Sequence, residues 1–173
     1  MQALRQFSIP INGLKNGVHN FEFHIGKTFF SEFVESPLND GNLISSLLLE
    51  KKSDHITLDF FTKGFINTEC DRCTALIDLP IESEFDFIVK YSESPREEGE
   101  IIYILPDTHV FNVASLIYEQ IILSIPIIKV FNCQDEVPKP CNEEVLSILT
   151  EETENSTNPI GDVLKNLKFD KNN

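Results

Sequence analysis

The feature that most constrains the fold is a two-residue alternation between Ala75 and Tyr91. Odd positions of this run are apolar, apart from Ser83, and even positions are mainly charged. The apolar members are Ala75, Ile77, Leu79, Ile81, Phe85, Phe87, Val89 and Tyr91, and the charged members are Asp78, Glu82, Glu84, Asp86 and Lys90. Successive side chains of a strand point to opposite faces, so this pattern predicts an antiparallel sheet with one buried and one wet, acidic face. Pro80 is expected to bend the strand or to place that part of it at an edge.

Shorter alternating or apolar runs, separated by polar and glycine-containing breaks, predict further strands. The predicted strands cover residues 7–11, 21–25, 44–49, 56–60 and 101–105. The third and fourth form a predicted hairpin whose turn lies near Ser53. Gly64 indicates a bulge or kink, and residues 92–100 read as a charged loop.

Helical signals are fewer and shorter. Thr28 is a candidate cap for one short helix, and Asn112 is a candidate N-cap for a longer one that ends before Pro126. Residues 125–131 then look extended, and a short helix is predicted around 145–149. Together these patterns predict an α+β protein, an antiparallel sheet or meander with a few short helices and an acidic C-terminal extension.

The composition changes near Gln134 and divides the chain into three predicted parts. Residues 1–133 form the α+β body, and residues 134–157 form an acidic, flexible segment. Residues 158–173 form a short C-terminal helix and tail, in which Asn158-Pro159 provides an N-cap and first helical residue. This last helix is too short to be stable alone and is expected to dock on the body or on a partner.

The charge and the apolar pattern of the chain limit the classes of protein to which it can belong. The chain carries 28 acids against 14 bases, a formal net charge of −14. This balance argues against bulk attraction to phosphate backbones, and no apolar run approaches the roughly 18 residues that a membrane span requires. Residues 1–5 contain no signal-peptide core, so we expect a cytosolic protein. An acidic protein is expected to meet basic partners fastest, among which ribosomal proteins are an abundant class. The plainer interpretation is that the charge only maintains solubility.

The four cysteines are candidate ligands of a structural zinc ion. Cys70 and Cys73 form a tight Cys-x2-Cys pair, whereas Cys133 and Cys141 are separated by seven residues. Four thiolates would give a closed tetrahedral site. The alternative is that all four are ordinary thiols, because the second pair lacks the two-residue spacing, and disulfides are less expected in the cytosol.

Basic residues near the first cysteine pair are candidate contacts to RNA or to a partner. They are Arg72, Lys63, Lys51 and Lys52, with Phe60, Phe61 and Phe65 close by in sequence. Aromatic and basic side chains together can form a stacking platform for nucleic acid. The alternative is that these phenylalanines belong to the core and that the lysines only solubilise turns. The sequence contains no phosphate-binding glycine loop and no nucleophile elbow, so no catalytic residue is assigned.

Several short islands, taken together, resemble the YceD family, bacterial and plastid proteins implicated in accumulation of large-subunit ribosomal RNA. The islands are Phe7-Ser8-Ile9-Pro10-Ile11 with Leu14, the Cys-x-Arg-Cys signature Cys70-Asp71-Arg72-Cys73, the helix from Phe111 to Pro126, Cys141, and Asn158-Pro159-Ile160 with Leu164 and Leu167. Many relatives carry a histidine or additional cysteines after the helix, where this chain has Phe131, and Cys133 is the candidate substitute ligand.

The resemblance implies a process rather than a reaction. We therefore expect a non-enzymatic factor that supports large ribosomal subunit assembly, with acidic surfaces that hold a basic ribosomal protein or an assembly intermediate. The alternative is a direct RNA-binding module built on the sheet that carries the Cys-x2-Cys pair.

Overall fold

The structure, a computed structural model, describes residues 3–130 and 139–155. Its strands are β1 (Ser8–Ile9), β2 (Gly17–Ile25), β3 (Gly41–Lys51), β4 (His55–Glu69), β5 (Leu76–Tyr91), β6 (Arg96–Glu98), β7 (Ile101–Ile104) and β8 (Phe111–Asn112). Its α-helices are α1 (Lys27–Phe30), α2 (Ala114–Ser124) and α3 (Glu143–Asn155), and short 3-10 helices cover Ala3–Phe7 and Ile11–Gly13.

Six of these strands form one sheet in the order β2-β3-β4-β5-β7-β6. Every neighbouring pair is antiparallel except β5 and β7, which run parallel. A separate antiparallel pair, β1 with β8, joins the N-terminal segment to the residues just before α2. The predicted α+β class, with a mainly antiparallel sheet and few helices, is confirmed.

Strands β3, β4 and β5 form a meander that dominates the sheet. β3 pairs with β4 from Lys51–Ile56 to Gly41–Ile66, so the hairpin turn falls at residues 52–54, as predicted near Ser53. β4 then pairs with β5 along its whole length, from His55–Lys90 to Glu69–Leu76. The turn between β4 and β5 is the Cys70–Cys73 segment.

The alternation in β5 divides the two faces of the sheet as predicted. Ile77, Leu79 and Val89 are buried on the inner face, whereas the acidic residues at even positions are exposed. Pro80 pairs with Phe65 of β4, while β7 pairs with β5 only at residues 88–91. Within the described ranges, Pro80 therefore lies on an edge portion of β5, one of the two places predicted for it.

The inner face packs against the N-terminal segment and the helices. The Phe7 ring lies 5.2 Å from Phe23 and 4.8 Å from Phe29, measured between centroids. Helix α2 packs on β5 and buries apolar side chains, and it stops before Pro126 as predicted. The N-cap residue of α2 is Val113, which makes no side-chain capping bond, so the predicted N-cap at Asn112 lies one residue too early. The Asn112 side-chain oxygen still accepts a hydrogen bond of 2.9 Å from the Ala114 amide at the helix start.

Local structure differs from expectation near the N-terminus. Only Ser8–Ile9 of the predicted strand over 7–11 pairs as a strand, because Phe7 and Ile11 lie in 3-10 turns that bury both side chains. Helix α1 begins at Lys27 after Gly26, so Thr28 lies inside the helix and is not its cap. In both places the apolar side chains are buried, and this burial outweighs the local strand and capping signals.

Three later segments also differ from the predictions. The charged loop over 92–100 contains β6, which pairs with β7. Residues 125–130 form bends rather than a strand, and α3 extends well beyond the predicted 145–149. The predicted helix over 158–173 lies outside the described residues.

Gly64 does not form a bulge, because β3 and β4 keep one unbroken register through the Leu43–Gly64 pair. Instead, its backbone closely approaches β3. A Cβ atom at Gly64 would lie 2.2 Å from the Asn42 carbonyl oxygen, and its φ of +150° is one that side chains rarely adopt. Glycine is therefore required here by close backbone approach, not by an extra residue.

Gly64→Ala should lower the free energy of unfolding by about 3 kcal/mol, because the new methyl group clashes with backbone and the φ is strained. The matched control is Gly13→Ala, since a Cβ there meets no atom within 4 Å. Urea unfolding of both variants checks this prediction. Equal midpoints for the two variants would show that β3 and β4 can separate freely at this point.

Candidate partner-binding face

The side of the sheet turned away from the core, here called the outer face, combines acidic and apolar side chains. On β4 and β5 the register places Asp59 opposite Asp86, Phe61 opposite Glu84 and Lys63 opposite Glu82. Residues of the outer face include Glu22 of β2, Ile44 and Leu48 of β3, Asp59, Phe61, Lys63 and Phe65 of β4, and Glu82, Glu84 and Asp86 of β5. The sequence predicted the acidic part of this face from β5 alone.

Negative charge on the outer face is largely uncompensated. Asp59 and Asp86 are exposed and directly opposite one another, an arrangement that destabilises a sheet. Within the part of the chain that the structure describes, neither forms an ion pair, and the same holds for Glu82 and Glu84. The Lys63 ammonium lies 5.9 Å from the centroid of the Phe61 ring. A cationic ligand would therefore relieve repulsion that the folded chain leaves in place.

Apolar side chains lie at the centre of this acidic face. Phe61 is 36% exposed and Leu48 is 42% exposed. Because Phe61 pairs with Ser46, its diagonal neighbours on β3 are Ile44 and Leu48. Diagonal neighbours on one sheet face are about 7–8 Å apart, so these three apolar side chains, here called the apolar patch, lie near one another.

Two shallow grooves open on the outer face. One is lined by Leu48, Asp59, Phe61 and Glu84, among others, and the other by Ile44, Lys63, Phe65 and Glu82, among others. Each groove thus has apolar walls and at least one carboxylate. This arrangement suits a ligand that brings both apolar and positively charged groups.

The phenylalanines near the candidate basic contacts divide between the two faces. Phe60 is 1% exposed and belongs to the core, as the alternative interpretation expected. Phe61 and Phe65 point to the outer face, so the core interpretation is wrong for these two. Their odd positions on β4 follow the period-two rule once the strand is known to be continuous through Gly64.

The four predicted basic contacts are not brought together. Lys51 and Lys52 lie at one end of β4, Lys63 lies within it, and the exposed Arg72 follows its other end. Strand β4 has 15 residues. At about 3.3 Å per residue its ends are about 50 Å apart, so these bases do not form one patch.

Two of these lysines already have partners in the fold. The Lys51 ammonium donates hydrogen bonds to the backbone carbonyls of Ile11 at 2.7 Å and Leu14 at 2.9 Å. It thereby ties the N-terminal segment to the end of β3. Lys52 forms an exposed ion pair with Glu50 at 3.0 Å. No local sequence signal marks Lys51 for this role, because its acceptors lie far away along the chain.

The Cys70–Cys73 turn is tight and its thiols are buried. Cys70 is 2% exposed and Cys73 is 1% exposed. The Cys70 carbonyl accepts a hydrogen bond from the Thr74 amide at 2.9 Å, and Thr74 has a positive φ of 56°. A threonine in this left-handed region is unfavourable and persists only where the surrounding structure holds it.

Asp71 fastens this turn to the segment that follows α2. Its amide donates to the Lys129 carbonyl at 2.8 Å, and its carboxylate accepts from the Lys129 amide at 2.7 Å. The Lys129 ammonium lies 3.3 Å from the same carboxylate. The bond from the Lys129 backbone and the nearby ammonium lower the pKa of Asp71, so its carboxylate stays charged to a more acidic pH than an ordinary aspartate does. Asp71 was only a spacer in the predicted motif.

The described residues hold part of the predicted cysteine ligand set. Cys70 and Cys73 share one turn, and Cys141 is partly buried against the core. Cys141 is disulfide-bonded, which differs from the expectation of cytosolic thiols, and it would need to be reduced to bind a metal. Cys133 lies outside the described residues. Within the described residues, no three His, Cys, Asp or Glu side chains are grouped so that they could hold a metal ion.

Comparison with known proteins identifies a family for this chain. Residues 58–168, more than half of the chain, match the family model described as large ribosomal RNA subunit accumulation protein YceD. The match includes Cys70-Asp71-Arg72-Cys73 and helix α2, which carried the resemblance. No curated protein and no solved structure matches the chain. None of the helices in the described ranges is long and apolar enough to cross a bilayer.

Lys51→Met should lower the free energy of unfolding by about 2 kcal/mol, because two carbonyl groups lose a charged hydrogen-bond donor in a partly buried place. Lys52→Met is the matched control, and its exposed ion pair should cost less than about 1 kcal/mol. Urea unfolding measures both changes. A loss for Lys52→Met as large as that for Lys51→Met would argue against the anchoring role.

Proposed function

The chain belongs to the YceD family, and on this premise we propose that it is a non-enzymatic cytoplasmic factor in large ribosomal subunit assembly. The family description gives the process, the accumulation of large-subunit ribosomal RNA. We propose that this protein contributes by holding a basic ribosomal protein, or an assembly intermediate that presents one. The observation that carries the proposal is the uncompensated acidic outer face with its apolar centre.

The charge of the chain supports a protein partner over direct attraction to RNA. A formal net charge of −14 repels phosphate, whereas it speeds the encounter with a Lys/Arg-rich protein. The acids on β5 are concentrated on one face by the strand period. Long-range attraction and a defined contact surface are therefore supplied by the same residues.

The second candidate is a direct RNA-binding module on the sheet that carries the Cys-x2-Cys turn. It is favoured by the exposed Arg72 and by Phe61, Lys63 and Phe65, which project from the outer face. It is disfavoured by the spread of the bases over about 50 Å, because a phosphate backbone is bound most strongly by clustered bases. The carboxylates beside Phe61 and Lys63 also oppose RNA.

Deletion of the gene should lower large-subunit ribosomal RNA relative to small-subunit RNA, because an unassembled subunit leaves its RNA open to degradation. The measurement is the ratio of the two RNAs in deletion and complemented cells. We expect a reduction of about twofold or more in the deletion strain, reversed by the wild-type chain. An unchanged ratio would contradict the proposed function.

Affinity capture from cells, with and without ribonuclease, separates the two candidates. Recovery of ribosomal proteins that survives ribonuclease favours the adaptor. Recovery that is lost with the RNA favours the RNA-binding module, as would tight and steeply salt-dependent binding of RNA by the isolated protein.

We also propose a structural zinc ion bound by Cys70, Cys73, Cys133 and Cys141. Support comes from the first two, whose buried thiols lie in one turn. That turn is fastened through Asp71 to the Lys129 segment, which leads toward Cys133 along the chain. A bound zinc would hold the turn and the C-terminal part together, and it would do no chemistry because four thiolates leave no open position.

Elemental analysis of protein purified under reducing conditions, without added metal, should find about one zinc per chain. Cys70→Ser should lose the metal and unfold at lower temperature, because structural zinc sites contribute directly to folding. Thr74→Ser, in the same turn, is the control and should retain zinc. Wild-type protein that is metal-free and as stable as Cys70→Ser would contradict the proposal.

A further inference from the structure

We propose that the outer face is a docking surface for an extended, Lys/Arg-rich protein segment that also carries apolar side chains. This inference rests on the proposed function and deepens it by naming the surface and the form of the partner. The residues that would make the contact are Ile44, Leu48, Asp59, Phe61 and Asp86, the apolar patch and the opposed carboxylates.

The apolar patch supplies the part of the contact that does not depend on salt. The register sets Phe61 diagonal to Ile44 and Leu48, so three apolar side chains lie on the same part of the outer face. An exposed phenylalanine ring beside carboxylates also receives a guanidinium group well, through cation–π attraction. Lys63 already lies near this ring, which shows that a cation is compatible with that position.

The carboxylates supply the part of the contact that depends on charge. Asp59 and Asp86 face each other across β4 and β5, and Glu84 and Glu22 line the same groove region. A partner cation placed among them replaces repulsion with attraction. This gain is specific to the face, because it comes from the opposed pair and not from the total charge of the chain.

The spacing of the two grooves fits an extended segment. One groove is centred near residue 60 of β4 and the other near residue 64, judged from their lining residues. Four residues of strand span about 13 Å, so side chains four apart on one side of an extended segment reach both grooves. A helix rises only about 1.5 Å per residue, so side chains that reach both grooves would have to be farther apart in its sequence.

Two other occupants fit the face less well. RNA would place phosphates against Asp59, Glu82, Glu84 and Asp86. A second copy of this chain, docked by two-fold symmetry, would place the same acidic face against itself. Both arrangements bring like charges together, whereas a basic protein segment brings opposite charges together.

The test uses the full chain and a fluorescein-labelled synthetic peptide rich in arginine, with leucine at every fourth position, in an anisotropy titration. Asp59→Asn/Asp86→Asn should weaken binding at least tenfold. The control Glu97→Gln/Glu100→Gln makes the same change in net charge away from the outer face and should weaken binding less than threefold. Phe61→Ser should weaken binding at least fivefold at 0.5 M salt, where charge effects are largely screened.

Folding of each variant is checked by its urea midpoint. Asp59→Asn/Asp86→Asn removes a repulsive pair, so its midpoint should not fall below that of the wild type. Equal weakening by the two double variants would overturn the docking surface in favour of unspecific charge attraction. Two results would overturn the choice of occupant. One is that Asp59→Asn/Asp86→Asn binds an RNA oligonucleotide more tightly than the wild type binds the peptide. The other is that the wild type forms a dimer and Phe61→Ser abolishes it.

Complementation of the deletion strain separates this inference from the proposed function. The Asp59→Asn/Asp86→Asn variant should fail to restore the large-subunit RNA ratio. If it restores the ratio fully, the docking surface is overturned while the family function stands. If the peptide results hold and the deletion itself leaves the ratio unchanged, the proposed function fails and the docking surface stands as a peptide-binding site.

Discussion

The unbroken antiparallel register of β3, β4 and β5 is the constraint on which the rest of the structure depends. Because side chains alternate with a period of two, this register places the odd-numbered apolar residues of β5 toward the core and every acid of β5 on the outer face. A slip of one residue would bury Asp78, Glu82 and Asp86 and expose the core. The close approach of backbone at Gly64 helps to keep the strands in this alignment.

The same register connects the fold to the proposed function. It sets Asp59 against Asp86 and Phe61 beside Leu48, and so it creates a surface that is both acidic and apolar. At the far end of the meander it forms the turn with Cys70 and Cys73, which Asp71 joins to Lys129. The proposed docking surface and the cysteine turn therefore lie at different places on one sheet.

Much of this arrangement could be predicted from local patterns, and the failures have a common cause. The β5 faces, the Ser53 hairpin and the end of α2 before Pro126 were predicted because strand period, turn residues and proline act over a few positions. The predicted bulge at Gly64 was wrong, because a glycine within a strand can mark either a bulge or a close approach of another backbone. Only the position of the neighbouring strand distinguishes these two cases. The four candidate basic contacts lie far apart, because residues close in sequence are widely separated along a 15-residue strand.

By itself, the sequence determined the β-rich class, the acidity of one sheet face, the helix before Pro126 and the islands that identify the family. These properties follow from side-chain alternation, charge and local hydrogen bonding, each of which depends on residues only a few positions apart in the sequence. Tertiary structure alone decided that Asp59 opposes Asp86, that Lys51 anchors Ile11 and Leu14, and that Asp71 holds Lys129. The reason is that such contacts depend on which strands become neighbours and in what register, and long-range burial of the core makes that choice.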